Sequence, residues 1–441
     1  MRGIFQFKVN SAAMRTVRSV VVTVCLLFGT VVAVAQVRLA PATDRNPDQG
    51  KVTDGDPFEI ATGIYYREYE DLYINDTIPI NFVRTQRNKD PRSRAFGIGA
   101  STSYDMFIIG DVAKFSWVAL VFADGSQATY SRISAGTSYL DGIFEDKSDP
   151  SEFLGSRIWW NKRGGWTVRL RDGREYTVQG CNAKSKPGQC AVTEVKNAQG
   201  EALVIRRDGD GNMLRITSPH GHFIEFRNDS SGRILQARDD AGERVDYTYD
   251  GNGCLIESHN WRGDEQKFSY DSHFNMVFVH ERGPHGRDGK GRYDFKINNR
   301  YDAQDRLAAQ LVSNGDTYSA KYHADAQGRV RQTDVRARDS LTKYFFDESG
   351  YWYREEFQGD KRSRWILEYV REPNAHELRD VVLTCPTGKM HLPVSLGRTL
   401  GSMGGEHKRY MSRVCSTALP SRPGTKPPQK ERAATAGRSS P

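Results

Sequence analysis

RDGDGNML (residues 207–214), NDSSGRIL (228–235), YDGNGCLI (249–256) and YDSHFNMV (270–277) superpose on their fifth residues, Gly211, Gly232, Gly253 and Phe274, at steps of 21 residues. Three further copies, YDAQDRL (301–307), ADAQGRV (324–330) and FDESGYW (346–352), place their anchors at Asp305, Gly328 and Gly350, at steps of 31, 23 and 22. Every copy has an aspartate three residues before its anchor: Asp208, Asp229, Asp250, Asp271, Asp302, Asp325 and Asp347. Every copy also has an apolar residue two after it: Met213, Ile234, Leu255, Met276, Leu307, Val330 and Trp352. Self-similarity at a fixed short period marks a repeat architecture and takes precedence over any other reading of the domain.

A second glycine falls midway through the first three units, at Gly221, Gly242 and Gly263, so each unit reads as two strands and two turns. Between turns the alternation has the strand period: Val245, Tyr247 and Tyr249 share one face, Asp246 and Thr248 the other. The repeated aspartate accepts main-chain N–H groups in an Asx-turn, and the glycine supplies the positive φ of the turn or its bulge. Seven identical positions fit turn geometry better than paired acid and base. Stacked units align Phe226, Tyr247 and Phe268 as a cross-strand ladder. One unit cannot bury its apolar face; adjoining units can. The expected fold is all-β, a curved or spiralling antiparallel sheet over residues 200–370.

Upstream, strand-like runs such as Ile78–Val83, Trp117–Phe122 and Trp166–Leu170 alternate with turns such as Ala123-Asp124-Gly125-Ser126, giving a β-rich N-terminal domain over residues 57–199. Composition agrees: 37% hydrophobic residues with 41 Gly, 20 Tyr and 20 Phe suits many short strands and tight turns. The overall charge of +8 is confined to the ends, since residues 1–35 carry +4 and residues 386–441 carry +8. That leaves −4 for residues 36–385, which argues against a nucleic-acid-binding surface.

The apolar run Ser19–Ala35 follows Arg15 and Arg18 and ends in Ala33-Val34-Ala35, the pattern of a cleavable export signal over residues 1–35. Residues 36–56 are polar and rich in Pro, Gly and Asp, a linker. A periplasmic or secreted, water-soluble product is expected. Cys181 and Cys190 flank the turn-rich Lys184-Ser185-Lys186-Pro187-Gly188 and are expected to form a disulfide in an oxidising compartment. Cys254, Cys385 and Cys415 make the remaining count odd. The period stops near Tyr369, and residues 371–441 are expected to be an irregular, largely disordered basic tail.

The 21-residue unit resembles the YD repeat of Rhs proteins, wall-associated proteins and teneurins. Asp56–Gly63, Asp71-Leu72, Pro79–Thr85 and Gly97-Ile98-Gly99 resemble the domain that precedes the repeats in Rhs-type proteins, with Gln86 where Tyr is usual and Ala100 where Trp is usual. Together the resemblances cover roughly residues 54–357. They imply a sheet that spirals into a hollow shell, which in toxin-delivering relatives encloses a C-terminal toxin. With seven repeats, no terminal core motif and no recognisable toxin, the expectation here is a partial, open shell.

Candidate chemistry is sparse. Asp208-Gly209-Asp210-Gly211-Asn212 opens like a calcium loop, but Met213 and Pro219 stand where such a loop needs Gly and Glu. His220 and His222 could face one metal, without an evident third ligand. Gly283–Arg292 reads as an exposed loop inserted at a repeat junction; its Gly289-Lys290 lacks the spacing of a phosphate cradle. No nucleophile–base or metalloprotease motif is present, so no catalytic residue, metal or cofactor is expected. The function expected is that of an exported scaffold or binding protein of the cell envelope, with a protein or carbohydrate partner that exposed aromatics of the sheet could engage. The alternative is a truncated or degenerate Rhs-type toxin carrier.

Overall fold

The computed structural model describes residues 53–55, 58–147, 152–180, 185, 187–284, 291–359, 363–372, 378–400 and 406–417. From Phe107–Gly110 to Gly388–Leu392, twenty-five strands each pair antiparallel with the next in sequence. Among the described residues no pairing joins the last strand to the first, so the sheet is open. A single bridge, Phe107 to Ala191, brings the first strand back against the segment that enters Val192–Lys196. Among the described residues no helix is long and apolar enough to cross a membrane.

Alternation decides which face is buried. In Arg244–Tyr249, Val245 and Tyr247 are buried while Arg244 and Thr248 are exposed. The same parity buries Ile224 and Phe226, and Tyr344 and Phe346, in their own strands, whereas Leu255 and Ser258 are buried three apart across a bulge. The sheet does not pause near residue 200, where the onset of the period suggested a domain boundary: Glu194 pairs with Val204 across it.

The break lies earlier. Residues 53–102 form short separate sheets, chiefly Tyr66–Ile74 with Ile80–Arg87 and Ala100–Thr102. They cross the buried face of the repeats. Ile234 N–H donates to Ala95 O at 2.8 Å, Ile98 N–H to Gly253 O at 3.1 Å, and Leu307 N–H to Gly63 O at 2.9 Å. The Thr333 hydroxyl donates to Ile60 O at 2.6 Å. The expected ladder therefore packs on this crossing segment: Phe226 lies 5.0 Å from Phe82, Tyr247 4.9 Å from Phe96 and Phe268 5.9 Å from Tyr69, centroid to centroid. Burying each of these rings contributes about 1.5–3 kcal/mol. With the buried face filled by the chain's own N-terminal segment, these rings are closed to an outside ligand, whereas Trp261 and Tyr353 of the repeats stay exposed.

The expectation of an irregular tail from residue 371 fails for residues 378–400 and 406–417, while residues 373–377, 401–405 and 418–441 lie outside the described residues. Leu378–Cys385 and Gly388–Leu392 add two strands, followed by helix α1 (Val394–Leu400) and helix α2 (Glu406–Thr417). Averaged over the whole tail, the basic and Pro-rich end masked two local patterns. Leu378, Val381, Leu383 and Cys385 are buried in strand fashion, and His407, Lys408, Met411 and Cys415 form one buried face of α2.

Candidate functional site

Each repeated aspartate builds the same turn. In all seven, Oδ1 accepts the N–H groups two and four residues on, at 2.8–3.0 Å: Asp210 and Asn212 for Asp208, Ser231 and Arg233 for Asp229, Asn252 and Cys254 for Asp250. Asp271, Asp302, Asp325 and Asp347 do the same. The residue three after each aspartate has positive φ: +85° at Gly211, +82° at Gly232, +91° at Gly253, +78° at Gly328 and +88° at Gly350. Phe274 and Asp305 hold the same conformation without being glycine. Asp305 is compensated there, its Oδ1 accepting from Asn275 Nδ2 at 2.8 Å and contacting His273 Nδ1 at 2.9 Å. A bulge precedes every turn, so the turn with its left-handed residue is the three-residue hairpin connection. Burial opposes the charge of Asp208 and Asp229, yet the Asn212 side chain with main-chain donors at Asp208, and main-chain donors with the Arg233 guanidinium at Asp229, hold both carboxyls below their ordinary range.

The tyrosine of the repeat has a separate task. Tyr249, Tyr270, Tyr301 and Tyr322 donate their hydroxyls to the carbonyls of Ile234, Leu255, Met276 and Leu307 at 2.6–2.8 Å. Each acceptor is the apolar residue after the preceding anchor. One unit is thereby stapled to the last, and a carbonyl near the bulge gains a donor.

A buried polar cluster joins the crossing segment to the sheet. Arg84 is fully buried and meets Asp71 through two bonds of 2.8 and 3.1 Å, Gln266 Oε1 at 2.8 Å and Ser258 Oγ at 3.1 Å. Tyr247 donates to the same Asp71 at 2.7 Å, and Gln86 donates to the Tyr270 hydroxyl at 3.1 Å. Burial works against the Arg84 charge, but Asp71 outweighs it and raises the guanidinium pKa. Arg67 and Tyr69 converge on Glu281, and Asn88 bridges Asn275 and the carbonyl of Asp305. Sequence reading missed this cluster. Its signal was parity: Arg84 stands at the inward position after Ile80 and Phe82.

At the far end, α2 closes the chain on itself. Lys408 pairs with Asp54, which also accepts from the Tyr344 hydroxyl at 2.9 Å. His407 Nε2 lies 3.0 Å from both oxygens of Glu355, Trp365 Nε1 donates to Ser412 Oγ at 3.2 Å, and a disulfide joins Cys385 to Cys415. Of the other cysteines, Cys254 is a buried free thiol and Cys190 is disulfide-bonded, whereas Cys181 lies outside the described residues. Residues 1–35, read from the sequence as an export signal, also lie outside them, as does nearly all of the expected linker.

The candidate metal and anion sites resolve into local structure. His220 contacts Asp76 and His222 contacts Asp240, so the two imidazoles serve different carboxylates. Asp208–Asn212 is a hairpin turn. The inserted loop lengthens a hairpin between Met276–Gly283 and Tyr293–Tyr301, with residues 285–290 outside the described set.

One cleft of about 450 Å³ opens over strands 340–346, 352–358, 364–371 and 378–385. Register sets two rows of residues across it. Leu341, Gln358 and Arg364 stand in one, paired in that order. Lys343, Glu356, Ile366 and Thr384 stand in the other. Glu356 is held by Arg354 at 2.7 Å, while neither Lys343 nor Arg364 makes an ion pair among the described residues. The cleft thus presents two cations outside any ion pair, the Glu356 carboxylate opposite Lys343, an amide, a hydroxyl, aliphatic side chains and the rings of Phe357 and Trp365 on central strands.

Comparison with known proteins adds the following. A family model described as "Domain of unknown function (DUF6531)" matches residues 55–130, the crossing segment and the first strands of the sheet. No curated protein matches the chain. Among solved structures, the TcdB2–TccC3–Cdc42 crystal structure is similar over 75% of this chain and 22% of that one, at 13% identity and a TM-score of 0.34. The Tc holotoxin pore of Photorhabdus luminescens is similar over 74% and 20%, at 10% identity and 0.29. A porin-like protein from Bacteroides uniformis is similar over 61% and 97%, at 10% identity and 0.22. The chain spans about a fifth of the length of the toxin-complex chains that it matches.

Proposed function

We propose that this chain is an exported, Rhs-related YD-repeat protein that acts as a rigid scaffold and binding surface of the cell envelope, without catalysis of its own. The observation that carries the reading is the filled concave face: residues 53–102 occupy it through buried pairs such as Arg84–Asp71 and Arg67–Glu281. A shell packed with its own N-terminal segment favours a platform that works through its outer face over a container. The alternative, a toxin carrier, is less well supported, because residues 378–400 extend the sheet and pack on it and residues 406–417 are disulfide-linked to it.

Fractionation of cells producing the full-length chain, together with co-sedimentation of the purified chain with isolated envelopes, tests the proposal. Recovery outside the cytoplasm and saturable sedimentation are expected. Retention in the cytoplasm, or a protein that stays in the supernatant with every envelope fraction, would refute it.

A further inference from the structure

We propose that the cleft over strands 340–346, 352–358, 364–371 and 378–385 binds a carboxylated saccharide; this rests on the binding role proposed above and names its site and ligand class. Three observations converge. The volume of about 450 Å³ falls within the range of roughly 300–1,000 Å³ typical of small-ligand clefts. Lys343 and Arg364 stand on strands two apart, about 10 Å across the sheet, and neither is neutralised by an ion pair among the described residues. The carboxylate between them, Glu356, is already engaged by Arg354. The floor therefore favours an anion carrying separated charges.

The kind of anion follows from the backbone. All four strands are paired on both sides, so their N–H and C=O groups are spent within the sheet. An acidic peptide cannot add here as a further strand, the mode by which sheets commonly take extended chains. Recognition must run through side chains. Gln358 and Thr384 supply donors and acceptors suited to hydroxyls, and Leu341 and Ile366 offer aliphatic surface to the C–H face of a ring. A ligand rich in hydroxyls, with carboxylates on its rings, matches that set.

Titration calorimetry of the purified chain tests the site, with trigalacturonate as the acidic probe, maltotriose as a neutral saccharide of equal length and triaspartate as an acidic peptide. Trigalacturonate is expected to bind, with maltotriose and triaspartate each weaker by about tenfold or more. The double substitution Lys343→Gln and Arg364→Gln is expected to weaken trigalacturonate by at least about tenfold, the scale of a lost charge-assisted hydrogen bond. Ile366→Trp, which fills the cleft without touching charge, should do the same, and unchanged circular dichroism certifies both folds. Absence of trigalacturonate binding, equal binding of either control, or indifference to both substitutions would overturn the proposal. Envelope co-sedimentation separates the two levels. Equal sedimentation of wild type and double variant removes this site and spares the scaffold reading, whereas a wild type that never sediments removes the scaffold reading itself.

Discussion

The hydroxyl of Tyr249 donates to the main-chain carbonyl of Ile234 at 2.6 Å, fifteen residues back and one repeat away. Tyr270 and Tyr322 repeat the bond at the same separation, to Leu255 and Leu307. Burial pushes all three phenols far above their ordinary range, so the hydroxyls stay protonated and remain donors. Tyr249→Phe or Tyr270→Phe keeps the ring and leaves a buried carbonyl one donor short. Each should lower the unfolding free energy by about 1 kcal/mol in urea titrations, with m unchanged.

Glycines in this fold carry two separable burdens. Gly328 has φ +78° with open space where a Cβ would stand, so Gly328→Ala should cost only the left-handed backbone strain, about 1–2 kcal/mol. Gly97 has φ +81°, and a Cβ there would stand 2.1 Å from the carbonyl oxygen of Gly253. Gly97→Ala must also push the crossing segment off the sheet, so its melting temperature should fall well below that of Gly328→Ala in the same calorimetric series.

The Cys385–Cys415 disulfide closes a loop of sequence separation 30 that contains α1 and most of α2. In the chain-entropy account, such a crosslink stabilises by about 3–4 kcal/mol. Cys385→Ser with Cys415→Ser should raise protease cleavage and amide exchange of residues 406–417 first, because the repeat strands retain their own ladder. Uniform loss of protection across the sheet would show that α2 is needed for the whole fold.

Asp54 offers a pH signature. Burial opposes its charge, but the ammonium of Lys408, with hydrogen bonds from Lys408, Gly55 N–H and Tyr344, holds its carboxyl below the ordinary 3.8. A folded value below the unfolded one means that the stabilisation is complete above about pH 3.8 and is lost as pH falls through the depressed value. Denaturation midpoints should therefore drop across that acid window, and Asp54→Asn should flatten this part of the dependence. At neutral pH the same variant should be less stable, since Lys408 would then be buried without its counter-charge.

The repeat turns were legible because their requirements are local: an aspartate to receive N–H groups, a residue tolerant of positive φ, and strand alternation between. The same logic explains the misses. Arg84 looked like an ordinary strand residue, and only its parity after Ile80 and Phe82 hinted that it points inward; its partners Ser258 and Gln266 lie more than 170 positions away. Cys385, at the end of a strand, and Cys415, inside α2 and 30 residues on, left no short-range mark of their bond. The tail misled through composition. Lys408 counted as one of its basic residues, yet it is buried against an acid at the other end of the ordered chain. Long-range pairs of this sort are set by how a sheet curves, which no local pattern encodes.

Because Phe82, Ala95, Phe96 and Ile98 meet the repeats at Phe226, Ile234, Tyr247 and Gly253, while Gly63, Ile60 and Asp54 meet them further on at Leu307, Thr333 and Tyr344, this segment is a ruler laid along the sheet. Duplicating one 21-residue unit between Ile234 and Leu307 would displace every later graduation by two strands, about 10 Å. Nearest-neighbour pairing alone would tolerate such a duplication freely. Repeat number in this molecule is therefore a matched length, heritable only as a pair with the segment that measures it.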